Sequence, residues 1–268
     1  MSRKLLTLML VSLMSFSLVM VACGGDDEAE ETTSTSTSGS EEIEILEKST
    51  PYPEKESAGL KTVPREKTLI AFQGGSEGRY TDHELWNPYA IGANHQRGPN
   101  IIYEPLAFYS AFADEMIPWL SSSWDWNGTF DELTINLRKG INWSDGEEFN
   151  ADDVVYTLNT LKDYAEEVRW GTDIDAVMDT AVKVDSHTVK VTLTRPDPRF
   201  MFLLTYKFDI GVYMVPEHIF NGQDWTTFKA FDVDAGLPVT TGPWRIVAGT
   251  PEQKVFDRAD SWWGEGKS

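Results

Sequence analysis

Between Leu133 and Asn159 the chain reads LTINLRKGINWSDGEEFNADDVVYTLN, and this run admits one local build: a strand, a tight turn and a capped helix. Leu133, Ile135 and Leu137 alternate with Thr134, Asn136 and Arg138, the period of a strand with one buried face. Ser144-Asp145-Gly146 supplies turn chemistry, with Asp for local side-chain hydrogen bonds and Gly for positive φ. Asn150 is placed to cap a helix whose first turn carries Asp152 and Asp153, charges that suit the positive end of the helix dipole. Val154, Val155, Leu158 and Leu161 give that helix a single apolar stripe. A half-buried strand and an amphipathic helix this close together call for a mixed α and β core.

The front of the chain has a different character. Arg3 and Lys4 precede an uncharged, mostly apolar run from Leu5 to Ala22, the layout of a secretory signal peptide over residues 1–22. An uncleaved membrane anchor is the alternative, because the apolar run is somewhat long. Val21-Ala22-Cys23 resembles a bacterial lipobox, with Met20 where the usual Leu stands. The resemblance implies that Cys23 carries diacylglycerol after cleavage. A buried free thiol is the weaker reading, since an acidic tract follows at once. Cys23 is the one cysteine of the chain, so an exported fold must hold by core packing without disulfides.

Residues 23–62 are expected to be a lipidated, disordered tether. From Gly24 to Leu60 there are eleven Asp and Glu against two Lys, and no Trp or Phe. Such a segment cannot bury enough apolar surface to offset its ordering entropy. The formal net charge of −20 disfavours nucleic acid and anionic membrane surface as partners.

All ten tryptophans lie beyond residue 62, in the part expected to fold. Strands are predicted at Thr68 to Phe72, Leu133 to Leu137, Ala181 to Val184, Thr188 to Leu193, Trp244 to Val247 and Lys254 to Arg258. Helices are predicted around Gln96 to Tyr103 and Ala151 to Tyr164, and from Pro216 with Pro at the first helical position. Asp185-Ser186 marks a hairpin. Trp124, Trp143 and Trp244 fall inside strand-like blocks and are expected in the core.

Several ordered blocks carry a more specific message. LRKGINWSDGEEFNADDVVYTL, Tyr103-Glu104-Pro105-Leu106, Ile117-Pro118-Trp119-Leu120 with Ser123-Trp124, VKVTLTRP from Val189, Met214 to His218, Thr241-Gly242-Pro243-Trp244 and Asp257-Arg258 to Trp262-Trp263 together resemble the family-five extracellular solute-binding proteins. These are the capture subunits of ABC importers for oligopeptides, dipeptides, nickel chelates and some oligosaccharides. The resemblance implies an α/β, two-lobed fold of the periplasmic-binding-protein type II kind. Residues 63–95 and 181–268 would form the first lobe, 96–180 an inserted small subdomain, and the second lobe would be missing. Such a half would leave part of its cleft unmade and some sheet edges unpaired, which favours poor solubility.

The same resemblance suggests where ligand would bind. Gly75, Ser76 and Glu77 occupy the place where peptide-binding relatives pair the first strand's end with ligand backbone, and Glu77 would meet a ligand ammonium. Trp86 and its neighbour Asn87 sit in a loop of the kind that lines the interlobe cleft. The implied partners are an oligopeptide, or a cello-oligosaccharide in view of the tryptophans, and the permease subunits of an importer. The implied location is the outer face of the cell membrane, as a lipid-anchored monomer.

No convergent reactive groups stand against this. His83, His95, His187 and His218 are scattered, and none has metal-ligand spacing. Asp152-Asp153 reads as helix-start charge rather than an acid/base pair. Gly74-Gly75-Ser76 lacks the Gly-Lys-Ser/Thr of a phosphate loop. No enzyme activity, metal or cofactor is expected. A secreted hydrolase or a surface adhesion module is the rival from another class.

Overall fold

Alternation of buried and open residues writes the largest sheet. The computed structural model describes residues 68–72, 82–93, 98–207 and 211–266. The expected signal peptide and tether, Cys23, and Gly75, Ser76 and Glu77 lie outside the described residues. In β5 (Glu132–Leu137) the side chains of Leu133, Ile135 and Leu137 are buried and their neighbours are not. In β7 (Thr188–Leu193) Val189, Val191 and Leu193 do the same. The antiparallel register sets Leu133 opposite Val191 and Ile135 opposite Val189, so the apolar pairs meet across the ladder. With β4 (Ser121–Trp126) and β6 (Met178–Asp185) they form a four-stranded sheet in the order β4-β5-β7-β6.

The predicted hairpin closes as expected, with the amide of His187 donating to Asp185 Oδ1 at 2.8 Å. The division expected after residue 180 cuts β6 in two. β6 and β7 share one hydrogen-bonded sheet with β4 and β5, so this layer reaches Leu193.

α2 (Ala151–Tyr164) covers this sheet, packing on β6 and β7 with Val154, Leu158 and Leu161 buried and Val155 only partly so. Asn150 caps it: its Oδ1 accepts the amide of Asp152 at 2.7 Å, while Asp153 Oδ2 accepts the amide of Asn150 at 3.0 Å. That reciprocal pair is a capping box.

A second sheet, in the order β1-β9-β8, is antiparallel throughout and comprises β1 (Thr68–Phe72), β8 (Trp244–Gly249) and β9 (Gln253–Arg258). A two-stranded hairpin, β2 (Ala107–Ser110) with β3 (Glu115–Pro118), was not predicted from sequence. The short helices are α1 (Pro99–Ile102), α3 (Gly171–Asp175), α4 (Phe200–Leu203) and α5 (Glu217–Phe220). α1 is shorter than predicted, and Pro216 sits at the N-cap of α5, one position ahead of the predicted place. Trp143 is buried, but Trp124 and Trp244 are only partly covered. Both stand on strands, β4 and β8, that come last in their sheets' order among the described residues. Among the described residues no helix is long and apolar enough to cross a membrane.

Candidate functional site

Trp86 and Asn87 do not line an open loop. Both are fully buried, because the backbone carbonyl of Lys229 accepts both of their amides, at 2.8 and 3.0 Å. The indole of Trp86 stacks near Phe231, meets Phe256 edge-on, and donates Nε1–H to the carbonyl of His83 at 3.1 Å. Asn87 Nδ2 donates to the carbonyl of Trp225 at 2.9 Å, and Asn87 Oδ1 accepts the amide of Tyr89 at 3.0 Å. Tyr89 in turn stacks on Trp225 and donates its hydroxyl to the carbonyl of Tyr213. In this chain the whole Trp86–Tyr89 segment is therefore a packed anchor.

Lys254, from β9, completes that anchor with its Nζ 4.2 Å from the Trp86 ring centroid. Burial depresses its pKa from the ordinary lysine value to about 8, against the opposing pull of Asp82. The unfolded chain therefore binds more protons than the fold between about pH 8 and the ordinary value near 10.4. Stability should rise with pH across that window. Above about pH 10 the buried phenols of Tyr89 and Tyr103, whose pKa values burial raises, reverse the trend. Urea midpoints measured from pH 7 to 10 should climb more steeply for the wild type than for Lys254→Met; equal slopes would contradict the assignment.

The described residues do form a cleft elsewhere. Its volume is about 440 Å³, and it opens between the turn at Gly140–Gly146, the segment Thr240–Gly242 and the segment Ser261–Trp263. The amide of Thr240 donates to Ser144 Oγ at 3.2 Å and ties two of these walls together. Gly242 permits the close approach: a Cβ there would lie 2.2 Å from the backbone oxygen of Ile102. His218 Nε2 and Asp145 Oδ2 lie 2.7 Å apart and link α5 to the turn by a hydrogen bond.

Behind the cleft a single buried carboxylate organises three indoles. Glu104 Oε1 accepts Trp119 Nε1–H at 2.9 Å and Trp262 Nε1–H at 3.2 Å, while Oε2 accepts Trp263 Nε1–H at 2.7 Å. Burial raises the Glu104 pKa, and the indole hydrogen bonds pull it down only in part. Arg138 lies over the Trp263 ring at 5.7 Å. On the cleft wall Arg245 is partly buried, and among the described residues its Nη1 is covered without a hydrogen-bond partner. Burial lowers the Arg245 pKa, opposed by the charges of Asp260 and Asp145.

Sequence reasoning missed Glu104 and Arg245 as site residues. The donors to Glu104 stand 15, 158 and 159 positions away along the chain, so no local pattern announces them. The Asp pair at the start of α2, read from sequence as helix-start charge, splits into two roles. Asp152 faces Lys183 Nζ at 2.6 Å near the surface, and Asp153 is buried as a capping group. Among the described residues no group of three or more His, Cys, Asp or Glu could hold a metal ion.

The lobe is mixed α/β and carries a polar, aromatic-walled cleft. Residues 115–268 match the bacterial extracellular solute-binding proteins, family 5 Middle, and the chain belongs to that family. The dipeptide-binding protein of Escherichia coli (strain K12) is 26% identical over 217 residues, which are 74% of this chain and 38% of that protein. The periplasmic alpha-galactoside-binding protein of Rhizobium meliloti (strain 1021) is 30% identical over 173 residues, 59% of this chain and 24% of that protein. The mannohexaose-bound periplasmic oligopeptide-binding protein of an oligopeptide ABC transporter from Thermotoga maritima superposes with a TM-score of 0.50 at 29% identity, covering 61% of this chain and 29% of that one. This chain thus spans well under half the length of these relatives. Its architecture is that of one lobe of the type II periplasmic-binding-protein fold.

Proposed function

We propose that this chain is the capture lobe of a solute-binding protein that hands an oligopeptide to the permease of an ABC importer. The family match over residues 115–268 carries the reading. In the proposed cycle a ligand is enclosed by hinge closure against a second lobe, and the closed form docks on the membrane subunits. The chain is exported, and Cys23 anchors it by lipid to the outer face of the membrane. Gly75, Ser76 and Glu77 contact the ligand. Catalysis has no part in the cycle: the similar proteins are named for what they bind.

A sugar is the second reading, favoured by the indole-walled cleft, where Asn142, Ser144, Thr240 and Thr241 stand beside Asp145 and Arg245. Isothermal titration calorimetry with panels of short peptides and cello-oligosaccharides should find a ligand with Kd below about 1 mM, or −4 kcal/mol. If neither panel binds that tightly, or if either is hydrolysed on incubation, the importer reading falls.

A further inference from the structure

We infer that two copies of this chain pair weakly through the β2–β3 hairpin, with Phe112 of each entering the basic-rimmed pocket beside α4 of the other. The pairing shares no residue with the cleft, so its failure leaves the importer reading standing. It departs from the monomer that the resemblance implies.

The hairpin tip is apolar, open and stiff. Ala111, Phe112 and Ala113 are exposed in succession, with Phe112 fully so, and Ile117 is exposed on the returning strand. An exposed apolar run of this kind is an aggregation liability unless a partner covers it. The Tyr109 hydroxyl donates to Asp114 Oδ1 at 2.7 Å across the turn, so less conformational freedom is left to lose on docking. Asp114 and Glu115 follow the tip and make the same protrusion acidic.

The complementary surface lies beside it. Tyr109 meets Phe202 of α4 edge-on at 5.0 Å, and Phe202 lines a pocket of about 460 Å³ together with Ala176 and Leu203. The rim is basic, since Arg195, Arg199 and Lys207 outnumber Asp173 and Asp197 there, on a chain whose net charge is −20. Arg199 and Lys207 stand over the Phe202 ring at 5.7 and 5.2 Å. Lys207 Nζ donates to the carbonyls of Phe202, Leu203 and Thr205, at 3.2, 3.4 and 3.4 Å, and lends the pocket only its field. Arg195 and Arg199 are exposed, and their guanidinium groups can meet carboxylates.

Such a pocket suits an aromatic side chain flanked by carboxylates, and Phe112 with Asp114 and Glu115 is one. Phe112 does not fill the pocket of its own chain, because it is fully exposed. Hairpin and pocket adjoin through Tyr109 and Phe202, so a two-fold axis beside them makes both contacts at once. Repulsion between two acidic chains keeps the pairing weak, although salt screens it beyond about 8 Å at physiological ionic strength.

Sedimentation velocity of the full chain in mild detergent, over a micromolar concentration series, should show a monomer–dimer equilibrium. Phe112→Ser should raise the dimer dissociation constant at least about tenfold with an unchanged melting temperature, because a buried aromatic anchor dominates a small interface. Glu115→Lys and Arg199→Glu should each raise it severalfold. The two together in one chain should restore the pairing, since each contact again sets opposite charges side by side. A chain that stays monomeric, or a double variant no tighter than the single ones, would overturn the inference. Association through the apolar run from Leu5 to Ala22 would ignore all these substitutions, so a Phe112→Ser chain that dimerises like wild type overturns it too. Growth beyond the dimer would reveal head-to-tail contacts and overturn the two-fold arrangement.

Discussion

Glu104→Ala is expected to destabilise the fold by roughly 3–5 kcal/mol, because it takes the shared acceptor from three part-buried indole N–H groups at once. Each unpaired buried donor costs on the order of 1–3 kcal/mol, and part is recovered because a carboxylate no longer has to be desolvated. Against a typical domain stability of about 5–15 kcal/mol this is a large share. Glu104→Gln should fall between, since its amide keeps one acceptor but turns N–H groups toward N–H donors. The two variants also separate charge from shape through pH. The folded pKa of Glu104 is raised, so its proton-linked contribution is complete below the ordinary glutamate range. That contribution is lost as pH rises through the folded value. The stability gap between wild type and Glu104→Gln should therefore narrow as pH climbs out of that range. Urea unfolding followed by tryptophan emission measures both effects; an Ala variant within about 1 kcal/mol of wild type would refute the node, on the scale of a single net hydrogen bond.

The node matters to the cleft because it joins distant parts of the chain. Glu104 follows α1, Trp119 follows β3, and Trp262 and Trp263 follow β9. Losing the carboxylate would remove the acceptor that holds the Trp262 and Trp263 rings of the cleft wall.

What could be read from sequence follows how local the controlling physics is. The strand, turn and helix from Leu133 to Asn159 were legible because period, turn chemistry and cap act within a few residues, and each pointed to the same build. Trp86 was misread for the opposite reason. Its neighbourhood has loop composition, but its cover comes from Lys229, Phe231 and Phe256, well over a hundred residues on, which no window shows. The β2–β3 hairpin escaped because its tip, through Phe112 and Asp114, lacks Gly, and Asp114 takes the positive φ of 50° instead. The family was identified from ordered blocks across the chain. Arg245 stayed hidden because one Arg in a strand carries no signal until its surroundings are known.

Asp153→Ala should be the second severe loss, at roughly 2–4 kcal/mol, although the residue reads in sequence as an ordinary helix-start charge. Its buried carboxylate accepts three donors: the amide of Asn150 at 3.0 Å, Trp143 Nε1–H at 3.1 Å, and the amide of Glu217 at 2.9 Å. Two of these are backbone donors at the starts of α2 and α5, which have no intrahelical partner of their own. The third fixes Trp143, which lines the cleft. Truncation therefore removes half of the capping box, frees α5 from α2 and unpairs an indole, each worth on the order of 1 kcal/mol. Asp152→Ala, next in the chain, removes only an ion pair with Lys183 whose two side chains are 47% and 40% exposed, and should cost well under about 1 kcal/mol. Thermal melts of the two variants side by side make the comparison. Equal melting temperatures would show that burial and hydrogen bonding at Asp153 count for no more than helix-end charge; a drop confined to Asp153→Ala would show that this carboxylate joins the turn, the helix and the cleft wall.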